Sequence, residues 1–337
     1  MMERSDKIRI FIVAGSSRGV TNCPAADSKA SFFAQRAQEL LPKDWIVDVF
    51  NLANDFVLPK IQSCNACVST SMALCVWPCN CYEKHSFLEP DLMWDEDVYA
   101  RIYAADAILV CAPVNWYGPT SSMKMLFDRL ICANGGNPDE SLINHKDGSL
   151  AAQLENSPRW QDLSVNHLEG RTAAFFVYGD NGGDEIAPDG RPSILKHKEY
   201  FDPEGENHFN NPDHAYGPII WQCRYSGIEV PEHLIEAINF GLGGKYSNNQ
   251  IPHLKEDKDT LAAFDKWVSA VAEFVQKKGK APAGKYPVFL TGADSAMPVF
   301  WRQLQLLLRT CCGGLWLHSI GYFTSRRAAR KLRLYKN

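Results

Sequence analysis

The feature that most restricts this chain is a short apolar run near its start. Ile8, Ile10, Phe11, Ile12 and Val13 are mostly β-branched, too few for a helix, and stop at Gly15. That pattern reads as a strand buried on both faces, the habit of parallel sheets. Gly15, Ser16, Ser17 and Arg18 follow as a small polar loop, and a helical segment from Asp27 to Leu41 begins after Pro24. A strand that feeds a helix through such a loop leaves backbone N–H groups pointing outward, which suits a phosphate. The two hydroxyls add donors and Arg18 adds charge, although the same residues would also serve a plain strand-to-helix turn.

The motif recurs. Trp45–Phe50 reads as a second strand and Ala107–Ala112 as a third, with Pro113 expected to stop its ladder. A helix is expected over Asp95–Tyr103. Another is expected over Thr120–Ala133, where Met123, Leu126, Phe127, Leu130 and Ile131 fall at helical spacing. Arg171–Tyr178 reads as strand four, running into Gly179-Asp180-Asn-Gly182-Gly183. A short helix over Ile219–Tyr225, a fifth strand near Glu236–Gly241 and a long amphipathic helix over Asp257–Lys278 complete the pattern. Strands alternating with helices imply an α/β fold, a doubly wound five-stranded parallel sheet with long loop insertions. The stretch 137–170 carries no strong pattern, and 184–217 reads as a surface excursion. Ligands of such sheets bind at the carboxyl ends of the strands. The loops Gly15–Arg18, Pro113–Gly118 and Gly179–Gly183 are all expected there.

Residues 1–280 read as one domain. A linker over Ala281–Pro287 leads to a C-terminal extension, 281–337, that has no acidic residue after Asp294 and crowds six Arg and Lys into its last stretch. Such a tail is either an appendage or a surface for an anionic membrane. The net charge of −4 gives no case for nucleic-acid binding. The start of the chain is charged, and no apolar run is long enough to span a bilayer, so a cytoplasmic location is the default expectation.

Eleven cysteines are many for a reducing compartment, and Cys64, Cys67, Cys75, Cys79 and Cys81 share one loop. Three readings stay open for them: a 4Fe–4S cluster, a structural zinc, or thiols without metal. Cys223, Cys311 and Cys312 read as structural, and His197, His208 and His214 as surface residues.

The loops also carry a family resemblance. Gly15-Ser-Ser-Arg18 with Ser28-Lys29 resembles the phosphate loop of the NAD(P)H-dependent FMN reductase and flavodoxin-like family. Ala112-Pro113-Val114-Asn115-Trp116-Tyr117-Gly118, followed by Ser121-Ser-Met-Lys124 and Phe127-Asp-Arg-Leu130, is similar to that family's signature after strand three, where the loop lies against a flavin. Gly179, Asp180, Gly182 and Gly183 match the flavin-facing loop after strand four. The resemblance implies FMN as cofactor, NAD(P)H as the nicotinamide dinucleotide co-substrate and a small electron acceptor such as a quinone, free flavin, metal or nitro compound. A homodimer or tetramer is implied too. The alternative is an electron carrier that serves a protein partner. The cysteine loop resembles the iron–sulfur flavoprotein branch, which has a compact run of four cysteines. Here Cys64-x2-Cys67 is followed by Thr70, then by cysteines at 75, 79 and 81.

Overall fold

The structure is a computed structural model. It describes residues 6–20, 22–53, 61–84, 90–116, 118–143, 147–179, 215–240 and 246–283. Its centre is a parallel sheet of β1 (Arg9–Ala14), β2 (Ile46–Asn51), β3 (Ala107–Asn115), β5 (Thr172–Gly179) and β6 (Ile235–Asn239). They are ordered β2-β1-β3-β5-β6, and a two-residue strand β4 (Gly118–Pro119) folds back on the end of β3. Every other pairing is parallel. Counting the long strands in sequence, the order is the 2-1-3-4-5 of flavodoxin-like sheets.

Side-chain alternation explains why β1 and β3 sit in the middle. Ile10 and Ile12 point into one core layer, Phe11 and Val13 into the opposite one, and all four are fully buried. The first layer is made by α1 (Lys29–Leu40), α8 (Ile251–Glu256) and α9 (Lys258–Lys278). The second is made by α2 (Leu92–Asp95), α3 (Val98–Ala104), α4 (Ser121–Asn134) and α7 (Gly217–Tyr225). Between α4 and β5 lie α5 (Gly148–Glu155) and α6 (Trp160–Leu163), in the stretch whose sequence shows no strong pattern.

The helices start where side chains satisfy their first free N–H groups. Ser28 caps α1, Thr120 caps α4 and Asp257 caps α9. Phe264 of α9 meets Phe33 of α1 at 4.7 Å and Phe176 of β5 at 4.8 Å between ring centroids. An Arg36–Asp265 pair with two 2.6 Å bonds then fixes α9 to α1 from the outside.

Three expectations are corrected. Pro113 does not end the third strand: it pairs with Tyr178, and β3 runs on to Asn115. Proline lacks only a donor, so it is tolerated where its missing N–H is not needed. The helix expected over Asp95–Tyr103 is two helices, α2 and α3, separated at Asp97, whose φ of 49° lies in the left-handed region. Ala281 is not a free linker residue. It is buried and donates its N–H to Asp106 Oδ1 at 3.0 Å. Among the described residues, no helix is long and apolar enough to cross a membrane. The expected excursion from 184 and the tail from 284 lie outside the described residues, apart from 215–217.

Candidate functional site

The chain leaves β1 towards β2 on one side and returns to β3 on the other, so strand order reverses between β1 and β3. The carboxyl ends of those two strands form the crevice where such sheets take ligands. Gly15 sits at its base. Its N–H donates to Cys111 O of β3 at 2.8 Å, and its carbonyl accepts from Thr120 Oγ1 at 2.7 Å. A Cβ on Gly15 would stand 2.6 Å from Ala112 Cβ and 2.8 Å from Met123 Sδ. Only glycine lets the loop lie this close to β3 and the start of α4.

The loop then rises along the rim. Ser16 is buried and its Oγ accepts from Arg18 N at 3.2 Å. Ser17 Oγ is 2.6 Å from Ser122 Oγ in the first turn of α4. Arg18 donates from one terminal nitrogen to Gln250 Oε1 at 2.9 Å. Its Nε is buried and has no hydrogen-bond partner among the described residues. The Ser28 hydroxyl faces inward as the α1 cap, accepting from Ser31 N at 3.1 Å. Lys29 Nζ reaches Asn249 O and Oδ1, both at 2.8 Å. Arg18 and Lys29 are thus both drawn to residues 249–250, just ahead of α8.

The second loop stands beside the first. Pro113 O accepts from Tyr216 Oη at 2.9 Å, which ties β3 to the segment entering α7. Val114 and Asn115 pair with Pro119 and Gly118, making a small hairpin that projects beyond the end of β1. At its tip Trp116 takes φ 47° and is 94% exposed. Its indole therefore presents an open aromatic face, packed on none of the described residues. Tyr117 lies outside the described residues.

Of the third loop, Gly179 is described, and its carbonyl accepts from Phe240 N at 2.8 Å. Asp180, Gly182 and Gly183 lie outside the described residues. Tyr178, one residue earlier, is buried; its hydroxyl is hydrogen-bonded to the Ala30 backbone, and desolvation holds its pKa well above the ordinary phenol value.

Sequence reasoning missed Thr120, Ser122, Tyr178, Tyr216, Asn249 and Gln250. Thr120 was readable as an N-cap before a periodic helix. The pair 249–250 carries no local signal, since it meets Arg18 and Lys29 only through folding across more than two hundred residues.

Lys124 and Arg129, both within the resemblance, do different things. Lys124 pairs with Asp128 one turn on, at the surface. Arg129 points the other way and pairs with Asp91 at 2.7 Å, with both side chains fully buried. It also donates to Gln62 O at 3.0 Å and lies over the Tyr82 ring. It is a clamp for the cysteine loop rather than part of the rim.

The five thiols of the cysteine loop fall into two hydrogen-bonded groups, Cys67–Cys81–Cys79 and Cys64 and Cys75 about Cys132. Cys67 and Cys81 touch, Sγ to Sγ, at 3.3 Å. Cys75 donates to Cys132 O at 2.9 Å, and Cys64 is hydrogen-bonded to Cys132 on α4. Cys79 takes a hydrogen bond from Cys81, which with the nearby Arg129 charge lowers its pKa to about 6 against the opposing effect of burial. Among the described residues, no group of three or more His, Cys, Asp or Glu side chains is arranged to hold a metal ion. Tetrahedral zinc would hold its thiolates about 3.8 Å apart around itself, and sulfurs in direct contact leave no such space. Nothing in the arrangement of the described residues supports a zinc ion or an iron–sulfur cluster. His85, His197, His208 and His214, and Cys311 and Cys312, lie outside the described residues, while Cys223 is buried in the core.

The model of the NADPH-dependent FMN reductase family matches residues 8–200, more than half of the 337. The chain belongs to that family. No curated protein matches its sequence. Among solved structures it is similar to RosB with a bound 8-demethyl-8-formylriboflavin-5'-phosphate intermediate, at 11% identity over 88% of this chain and 87% of that one, with a TM-score of 0.40. It is also similar to an FMN-dependent NADH-azoreductase from Bacillus anthracis in complex with FMN, at 15% identity over 80% and 99%, with a TM-score of 0.31. At these identities and scores the likeness carries no functional argument. The family match makes the chain, in general terms, one of the FMN-dependent NAD(P)H oxidoreductases.

Proposed function

We propose that this chain binds FMN at the β1/β3 crevice and passes electrons from NAD(P)H to a small acceptor. The observation that carries the reading is the Arg18 guanidinium. Its Nε is buried and has no hydrogen-bond partner among the described residues, on the loop that follows β1 at the switch point of a sheet whose family is one of FMN reductases. An unpaired buried donor on a charged group is costly, and a phosphate oxygen would satisfy it.

In this reading the N–H groups and hydroxyls of Gly15, Ser16 and Ser17, with Arg18, hold the phosphate. Ser28 and Lys29 act more remotely, one by capping α1 and the other by fixing Asn249. Pro113, Val114, Asn115 and Trp116 form one wall for a flat ring, and Trp116 supplies the stacking area. Gly179 would admit close approach of the backbone, and the family motif implies Tyr117, Asp180, Gly182 and Gly183 as further flavin contacts. FMN when bound supplies a two-electron hydride acceptor at its ring. The protein's part would be orientation, with the hairpin residues Pro113–Trp116 holding the ring, and no side-chain acid or base would be required.

Flavin-free protein titrated with FMN should turn yellow with one flavin per chain. Without air it should be bleached by NADPH or NADH and recoloured by a quinone. Failure to take up FMN overturns the reading. Uptake without bleaching by either dinucleotide would move the chain to the electron carriers.

A further inference from the structure

The thiols of the loop between β2 and α2 have no part in the flavin reading, yet they are held with care. Arg129 anchors the loop at Gln62 O and packs over Tyr82, and Tyr82 Oη donates to Ser63 O at 2.7 Å. Further along, Cys75 O accepts from Asn137 N at 2.7 Å and Trp77 N donates to Asn137 O at 2.9 Å. In this frame Cys67, at the start of a helical turn, meets Cys81 at 3.3 Å. Both are half-buried and so open to a small reagent, whereas Cys75 and Cys79 are buried. Cys81 also hydrogen-bonds Cys79, the thiol that the Arg129 charge helps shift towards thiolate, while that hydrogen bond and burial hold Cys81 itself protonated.

We propose that Cys67 and Cys81 form a reversible thiol–disulfide site that exchanges with low-molecular-weight disulfides. One thiolate of the pair attacks a disulfide RSSR, forming a mixed disulfide and releasing RS⁻, which takes up the proton its attacker gave up. The second, already in contact with the first, attacks the protein sulfur of that mixed disulfide and releases another RS⁻, protonated likewise. The two protein thiols lose two electrons and two protons, one disulfide bond forms, and RSSR is reduced to two RSH. Oxidation shortens the Sγ–Sγ contact from 3.3 Å to a bond of about 2.0 Å.

The test uses the full chain in glutathione buffers of graded reduced-to-oxidised ratio, quenched with acid, alkylated and mapped by peptide mass spectrometry. One cross-link joining Cys67 to Cys81 is expected, with the loss of two hydrogens, fully reversed by dithiothreitol. Cys67→Ser and Cys81→Ser should each lose the cross-link and accumulate glutathione on the remaining partner. The wild-type map stands alone if either variant fails to fold, and it requires no flavin. The proposal is overturned if both thiols stay reduced in oxidised glutathione. It is equally overturned if they carry glutathione without cross-linking, or if iron or zinc co-purifies and protects them.

Discussion

Replacing Gly15 with alanine tests the packing that shapes the crevice. The added Cβ would lie 2.6 Å from Ala112 Cβ and 2.8 Å from Met123 Sδ, where carbon contacts prefer about 3.5–4.0 Å. Relief demands a shift of about 1 Å. Ala112 is in the middle of β3 and cannot yield, and Met123 sits in the first turn of α4. The loop must therefore lift, which strains its bonds to Cys111 O and from Thr120 Oγ1. Overpacking of this size costs about 1–3 kcal/mol. Each weakened hydrogen bond adds about 1 kcal/mol. Urea unfolding of Gly15→Ala should show a loss in that range with an unchanged slope. FMN titration should show affinity down by about tenfold or more, since each 1.4 kcal/mol is a factor of ten. A second change, Ala112→Gly, removes the nearest contact and should restore part of both. If Gly15→Ala matches the wild type in unfolding and in FMN affinity, the close approach of the loop to β3 is wrong.

Arg18→Ala should weaken FMN binding by about 1.5–3 kcal/mol, the worth of a hydrogen bond to a charged group, with little effect on unfolding; isothermal titration and urea curves separate the two. Arg129→Met leaves Asp91 charged and buried without its partner, so it should lose about 3–5 kcal/mol by urea unfolding, and adding Asp91→Leu should recover part of it. His167 is buried against Trp77, and desolvation lowers its pKa from 6.5 to about 4. The unfolded chain therefore binds the proton more readily. The His167 contribution is full above pH 6.5 and is lost as pH falls towards 4, by about 3 kcal/mol in all. His167→Gln should flatten the stability–pH curve in that window, and an unchanged curve would contradict the assignment. Phe264→Ala removes a ring shared by α1, β5 and α9 and should lower stability by about 3–5 kcal/mol in the same assay.

The strands were legible because β1, β3 and β5 are buried on both faces, which forces nearly unbroken apolar runs. The strand β6 was harder to place: four of its five residues are half-buried at the sheet edge, and its pattern is correspondingly weak. Pro113 misled because a strand-stopping residue lies where β3 has already outrun β1 and needs no donor towards it. The glycine and serine loop was readable as a phosphate site from its chemistry. The contacts of Arg18 and Lys29 with residues 249–250 were not, because no local pattern encodes a meeting across the sheet's far layer. The cysteines were legible as a cluster but not as pairs. Cys64 and Cys75 meet Cys132, and Cys79 meets Arg129, both on α4, a helix that sequence reading assigned only to the flavin side.

The most direct test of the account is a crystal structure of the protein grown with FMN. The phosphorus should lie against Gly15–Arg18, within hydrogen-bond reach of Arg18 Nε, and the ring should lie along Pro113–Trp116. Flavin bound away from the β1/β3 crevice, or a phosphate with Arg18 turned aside from it, would contradict the account.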